Sequence, residues 1–253
     1  GTRVSERSVR PEQFGRFLIQ IFDEWVRHDV GRIYVQTIEA AVRNWLQMPS
    51  SGMCVFEPTC GLGLALEHNG DLYSCDHFVE PDYLLGNIMD GTGGATPPLL
   101  EMVLSERQRQ FGRDKRDSLP RYCRECDVRF ACHGECPKNR FVTTPHGEEG
   151  LNYLCAGWKA FFQRIDEPLK ALTTLVRMGR PASEIMGVMA GKEGEWQETL
   201  TKFKARKQFD APCPCGSGLM FGECHGWVQT KRGRRGRRRG AGRPRPRVRR
   251  TDE

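Results

Sequence analysis

The stretch RYCRECDVRFACHGECPKNRF, residues 121–141, places Cys123, Cys126, Cys132 and Cys136 within fourteen positions. Thiols spaced Cys-x2-Cys-x5-Cys-x3-Cys can ligate Zn²⁺ or an iron–sulfur cluster, since both take thiolates in tetrahedral arrays. Cys54, Cys60, Cys75 and Cys155 raise the number between residues 50 and 165 to eight, and Cys213, Cys215 and Cys224 follow far along the chain. Two CxxC-like pairs alone favour structural zinc. Eight cysteines match the requirement of two fully ligated 4Fe–4S clusters, with no histidine needed to complete either set. The total of eleven is odd, so complete internal disulfide pairing is impossible, and the CxC and CxxC spacings read better as metal sites.

These thiols need elements to position them. In LALEHNGDLYSC, Asn69-Gly70 is expected to form a two-residue type I′ turn between alternating residues. Such a hairpin returns Cys75 towards the level of Leu64, close to Cys60. Upstream, Phe14, Phe17, Leu18, Ile21, Phe22, Trp25 and Val26 recur at helical steps over residues 11–29, with Pro11 in the first turn and Gly31 after the end. RIYVQ, residues 32–36, reads as a short buried strand, and residues 37–47 as a second helix with Ile38, Ala41, Val42, Trp45 and Leu46 inward. Helix, strand, helix is a fragment of an α/β layer. Downstream, Leu169, Leu172, Leu175, Val176 and Met178 line one face of a helix in a helical region over 167–206, whose charged end (193–207) leads to a small module at 211–227.

Charge is distributed unevenly. The net charge is +7, yet residues 231–250 alone carry twelve Lys and Arg and no acid, leaving 27 basic against 32 acidic residues elsewhere. This Gly- and Pro-rich basic tail has no apolar period and is expected to be disordered. No run of about 18 apolar residues exists, so no transmembrane helix and no membrane partner are expected. Without a secretion signal, a cytoplasmic location is expected. The chain begins Gly1-Thr2-Arg3 without Met, which suggests a fragment or a processed chain.

The pattern Cys54-x5-Cys60-x14-Cys75, then Cys123-x2-Cys126-x5-Cys132-x3-Cys136, then Cys155 resembles the SPASM domain of radical S-adenosylmethionine enzymes. ALEHNGDLYSCDHFVEPDYLLGNI, YCRECDVRFACHGECPKNRF and GLNYLCAGWKAFF are similar to segments of the anaerobic sulfatase-maturating enzymes, and the similarity covers roughly residues 1–190. The resemblance implies two auxiliary 4Fe–4S clusters with interleaved ligands: Cys54, Cys60, Cys75 and Cys136 on the first, Cys123, Cys126, Cys132 and Cys155 on the second. Spacing alone does not choose this pairing over 123/126/132/136 as one site. The implied fold is the α/β remnant of a radical SAM partial barrel (1–49), an α+β cysteine-rich SPASM cluster domain (50–165), a helical extension and linker (166–206), a zinc module (207–228) and the tail (229–253).

In the family, a 5′-deoxyadenosyl radical removes a β-hydrogen from a target Cys or Ser of a sulfatase polypeptide, a base takes the thiol or hydroxyl proton, and an electron leaves to give formylglycine. Asp76 matches the proposed base, and a carboxylate within reach of a substrate proton can act so. On an extended strand it would point away from Cys75, towards a cavity; an Asp closing the hairpin on local backbone is the alternative. His77 and His133 adjoin ligands and could tune a cluster by hydrogen bonding, or be structural. Arg121, Arg124, Lys138 and Arg140 could attract an acidic peptide, offset cluster charge, or form a solvated basic face. The CxxxCxxC motif that holds the S-adenosylmethionine-cleaving cluster does not occur in these residues. S-adenosylmethionine and that third cluster are therefore expected in a missing N-terminal part, and no turnover from this chain alone.

Cys213-x-Cys215-Gly-Ser-Gly, with Cys224 and His225, resembles the SEC-C motif. Three thiolates and one imidazole make a closed structural zinc site, and so short a module depends on the metal to fold; a redox CxC pair is the alternative. Two further readings stand beside the maturase. One is a non-catalytic binding module, in which the knob and the tail attach to a ribosome or nucleic acid through phosphate contacts. The other is a radical SAM peptide-modifying enzyme with another target.

Overall fold

The structure, a computed structural model, describes residues 4–90 and 99–190. Eight α-helices occur among them: α1 (Pro11–His28), α2 (Gln36–Trp45), α3 (Leu99–Val103), α4 (Glu106–Asp117), α5 (Arg121–Arg124), α6 (Arg129–Cys132), α7 (Cys155–Arg177) and α8 (Ile185–Met189). A small antiparallel sheet of β1 (Ala65–Leu66), β2 (Asp71–Tyr73) and β3 (Leu84–Asn87) runs in the order β1-β2-β3.

The 23-residue α7 is the spine. Its apolar stripe, from Trp158, Phe161 and Phe162 to Leu169, Leu172 and Leu175, is buried. Helix α1 crosses it where two glycines meet. A Cβ on Gly15 would stand 2.8 Å from Gly157 Cα, and one on Gly157 would collide with the Pro11 carbonyl. That approach lets Phe22 pack edge-on against Phe161 at 6.4 Å. The expected α1 is present and ends one residue early, while Phe17 of its expected apolar face stays exposed. Helix α2 adds Trp45, stacked on Phe162 and donating from Nε1 to Asp166 at 3.0 Å.

RIYVQ is not a buried strand. Ile33 and Tyr34 are 54% and 73% exposed, and residues 4–49 contain no strand. Gly31 (φ 78°) ends α1 in a left-handed turn, and the Ile33 carbonyl accepts from Trp25 Nε1 at 2.9 Å. A β-branched apolar run with no neighbouring strand to pair has no ladder to join. The boundary expected at 165/166 falls inside α7, so the cysteine-rich region and the start of the helical extension share one rod. Residues 191–206 of that extension, the module at 207–228 and the tail at 229–253 lie outside the described residues.

The hairpin forms with a different turn. Ala65 pairs with Tyr73 and Leu66 with Leu72, and Glu67 and Asp71 close a three-residue loop. Gly70 donates to the Glu67 carbonyl and sits at φ 90°, the arrangement of a type I turn followed by a left-handed residue. Asn69 Oδ1 accepts from the Asp71 amide at 3.1 Å and thereby favours this turn over the two-residue one. Cys75 consequently returns to the level of Gly63, whose carbonyl accepts from the Asp76 amide at 3.1 Å.

Candidate metal centre

The eight cysteines of residues 54–155 come together in two groups, and none forms a disulfide. Cys54 opens a short 3₁₀ turn, Cys54–Phe56. Phe56 anchors that turn in the core, edge-on to Trp158 at 5.1 Å and to Phe162 at 5.5 Å. Behind it, Glu57 accepts from the Ser51 amide and from the Ser50 and Ser51 hydroxyls. Burial opposes the Glu57 charge, but these hydrogen bonds prevail and hold its carboxyl below the usual range.

Helix α4 holds the next two arms. The Cys60 amide donates to the Gly112 carbonyl at 3.0 Å, and a Cβ on Gly112 would stand 2.8 Å from the Cys60 carbonyl oxygen. Gln108, 3% exposed, donates from Nε2 to the carbonyls of Gly61 (3.3 Å) and Ser74 (3.1 Å). One amide group thus ties the residue after Cys60 to the residue before Cys75. Phe78, Tyr83 and Phe111 pack together at 4.5–5.7 Å and dock the loop after Cys75 on the same helix. Cys136 completes the group: Cys60 lies within electrostatic reach of Cys136 and Cys54, and Cys75 within reach of Cys60.

The second group lines a cavity. Cys123 of α5, Cys126, Cys132 at the end of α6 and Cys155 at the start of α7 face it, with Tyr122 and Lys159 at its wall. Burial pushes the Cys132 thiol up to about 12 and the Cys155 thiol to about 11, with the neighbouring cysteines adding to the rise. Cys75 in the first group is also raised to about 11, again by burial first. Thiols this reluctant to ionise in water-poor surroundings stay protonated until a metal displaces the proton.

Cys132 and Cys136 are separated by only three residues yet belong to different groups, and the backbone shows why. His133, Gly134 and Glu135 all have positive φ, at 47°, 74° and 53°. Three successive left-handed residues turn the chain round between the two thiols. Arg140 holds this turn by donating to the carbonyls of His133, Gly134 and Glu135 at 2.9–3.1 Å. Gly134 leaves no room for a side chain: a Cβ would collide with Leu119 Cδ2 and meet Arg140 Nη2 at 2.7 Å.

Asp76 differs from its expected placement. Strand β2 stops at Tyr73, and residues 76–77 form a turn closed by the Phe78 amide on the Cys75 carbonyl. The Asp76 carboxylate therefore lies on the same side as Cys75, whose thiol donates to Oδ1 at 3.3 Å, and it is exposed. The ligand atoms of Cys75, Asp76 and His77 lie within 4.8 Å of one another. His77 Nδ1 contacts Cys136 Sγ at 3.4 Å and so joins two arms of the first group. Of the four cations weighed from the sequence, Arg121 and Lys138 pair with Glu125 and Glu80 at the surface, and Arg124 donates to the Leu119 carbonyl. Arg140 alone of the four turns inward. Gln108 and Lys115, both on α4, are missed by sequence reasoning, since neither belongs to a ligand motif.

Comparison with known proteins bears on this geometry. Residues 54–127 match the SPASM family, an iron–sulfur cluster-binding domain, and residues 211–226 match the SEC-C motif. A serine-type anaerobic sulfatase-maturating enzyme of Bacteroides thetaiotaomicron is 51% identical over 163 residues, 64% of this chain and 37% of its own length. The chain is similar to the anaerobic sulfatase-maturating enzymes. A serine-type relative from Klebsiella pneumoniae is 36% identical over 63% of this chain and 37% of its own length. A cysteine-type one from Clostridium perfringens is 26% identical over 62% and 40%. The chain thus spans well under half of these relatives. The solved structure of native anSMEcpe with bound AdoMet shares the fold over 69% of this chain and 46% of its own, with a TM-score of 0.57 at 23% identity. Zinc-module residues Cys213, Cys215, Cys224 and His225 lie outside the described residues. No described helix is long and apolar enough to cross a membrane.

Proposed function

We propose that this chain is the auxiliary-cluster part of a radical S-adenosylmethionine enzyme that oxidises a Cys or Ser of a sulfatase polypeptide to formylglycine. The observation that carries the reading is the sorting of eight thiols into two groups of four by the left-handed turn at 133–135. Cys54, Cys60, Cys75 and Cys136 would hold one 4Fe–4S cluster, and Cys123, Cys126, Cys132 and Cys155 the other. The surroundings suit such a group: four thiols in each set, and inward-facing cations, Lys115 and Arg140, beside them.

When bound, the clusters supply a centre able to take up the single electron that the oxidation releases. Asp76 takes the substrate thiol or hydroxyl proton on its carboxylate. Its exposure leaves room for a polypeptide to approach. Ligation of Cys75 needs the thiolate, which removes the thiol proton now donated to Asp76 Oδ1 and leaves that oxygen an available acceptor. His77, against Cys136, ties the Cys75 arm to the Cys136 arm beside this carboxylate. S-adenosylmethionine and a third cluster require a CxxxCxxC segment that these 253 residues do not contain, so no turnover is expected of these residues by themselves. Cys213, Cys215, Cys224 and His225 would hold one structural zinc, and the cationic stretch at 231–250 would give salt-sensitive contact with ribosomal or other nucleic acid.

Anaerobic reconstitution of the full chain with iron and sulfide tests the reading. About eight iron per chain are expected, and about half that in Cys136→Ala. Uptake of zinc alone, without the broad visible absorption of iron–sulfur clusters, would overturn it. In a longer chain that includes the CxxxCxxC segment, Asp76→Asn should abolish formylglycine while S-adenosylmethionine cleavage persists; unchanged product would remove Asp76 as the base.

A further inference from the structure

Lys115 and Arg140 are cations drawn inside the cysteine-rich region, and among the described residues neither pairs with a carboxylate. Lys115 is 1% exposed, and its Nζ donates to the carbonyls of Cys54 (2.6 Å) and Val55 (3.0 Å). Arg140 donates to four carbonyls, those of Lys115, His133, Gly134 and Glu135. Carbonyl dipoles satisfy the N–H groups but leave the net charge uncompensated, and a buried charge without a counter-charge is costly. Burial depresses the pKa of both side chains, and Arg140 adds to the depression of Lys115.

The neighbours that favour the charged forms are thiolates, and they differ between the two cations. For Lys115 they are Cys60, Cys54 and Cys136, all of the first group. For Arg140 they are Cys123 and Cys132 of the second group together with Cys60 and Cys136 of the first. Arg140 thus stands between the two groups, and Lys115 beside one. With every thiol protonated, neither cation has an ion-pair partner among the described residues. A thiolate-ligated cluster is a net anion, and one such group in each set supplies the missing charge.

We infer that Lys115 and Arg140 set the reduction potentials of the two clusters, Lys115 that of the Cys54/Cys60/Cys75/Cys136 cluster alone and Arg140 those of both. The inference rests on the ligand assignment proposed above. Reduction adds one electron to a cluster and makes or breaks no bond, so the extra negative charge is stabilised by any nearby fixed cation. Removing the cation makes that cluster harder to reduce, because net charge is one of the determinants of its potential. Arg140 also screens the two anionic clusters from each other, so its loss acts on both.

The experiment is an anaerobic redox titration of the reconstituted full chain. A low-potential chemical reductant supplies the electron through mediators, and electron paramagnetic resonance reads each cluster. Cys75→Ala and Cys155→Ala forms, each lacking one cluster, assign the signals. Lys115→Met should lower the reduced-to-oxidised ratio of the first cluster about tenfold at fixed potential, which for one electron is about 59 mV, and leave the second unmoved. Arg140→Gln should lower both, and Arg140→Lys, which keeps the charge, should restore most of the loss. Should Lys115→Met fail to load iron, Lys115→Gln keeps a donor for the Cys54 carbonyl without the charge and carries the same expectation. Unmoved potentials in variants with normal iron content would overturn the inference, as would equal shifts of both clusters in the Lys115 variants. A wild-type chain that never binds two clusters would instead overturn the ligand assignment, and the inference with it.

Discussion

Gln108→Glu replaces the NH₂ that bridges the Cys60 and Cys75 arms by an oxygen, at constant shape. Gln108 is 3% exposed and donates to the Gly61 and Ser74 carbonyls, while its own Oε1 has no hydrogen-bond partner. Ser74 is buried and Gly61 exposed, so water can replace the lost donor only at Gly61. A protonated carboxyl still offers one O–H to Ser74, and the variant should then cost about 1 kcal/mol, the value of one hydrogen bond. An ionised carboxylate is desolvated and faces two carbonyl oxygens, so its folded pKa must rise above the unfolded value of about 4.3. The unfolded chain then releases the proton first, and stability falls as pH rises towards the folded pKa, by about 1.4 kcal/mol per unit. With a rise of about two units, which burial commonly produces, the total cost reaches about 4 kcal/mol at pH 7. Gln108→Leu loses both bonds but also removes the unpaired Oε1, and should cost about 2 kcal/mol at every pH. Urea denaturation of the metal-free, reduced full chain at pH 4.5 and pH 7 measures all three proteins. A Gln108→Glu cost that is below about 0.5 kcal/mol, the usual range of surface changes, or that does not grow with pH, would refute the bridging role.

Gly157→Ala should destabilise the chain by about 1–3 kcal/mol, since its Cβ would overlap the α1 backbone at Pro11 and Gly15, which no side-chain rotation relieves; Gly187→Ala, with open space around it, should be neutral or stabilising by up to about 1 kcal/mol in the same thermal melts. The metal-free chain should lose stability as pH rises from the ordinary thiol value of 9.0 towards 11, because the unfolded thiols ionise there while burial keeps Cys75, Cys132 and Cys155 protonated, and denaturant midpoints at pH 8 and 10 check the sign. One zinc per chain should remain after chelation of all iron and should disappear in Cys224→Ser, measured by metal analysis of the full chain; zinc retained by that variant would count against the four-ligand site.

The candidate ligand cysteines were legible in the sequence because cysteine is chemically distinctive and its spacing survives as a written pattern. The helices α1, α2 and the second half of α7 were legible because their buried faces are apolar at helical steps. Helix α4 was not read at all, although it builds half of the first thiol group. Its buried positions are Gln108, Gly112 and Lys115, at steps of four and three. A face made of an amide, a glycine and a cation shows no apolar period, so only the packed structure reveals that it is a face.

Two outcomes needed tertiary structure for a related reason. Spacing alone left Cys136 free to join Cys123, Cys126 and Cys132. The division is made by three left-handed residues held by Arg140, a hydrogen-bonding arrangement that involves carbonyls and no motif. RIYVQ carried the local preference of a strand, yet it is exposed, because strand formation needs a partner ladder that the local sequence cannot supply. The sequence by itself determined which atoms could bind metal and which helices would bury apolar faces, both being properties of side-chain chemistry and near-neighbour period. Tertiary structure decided which thiols share a site and which cations face them, because those depend on where backbone far apart in the chain is brought together.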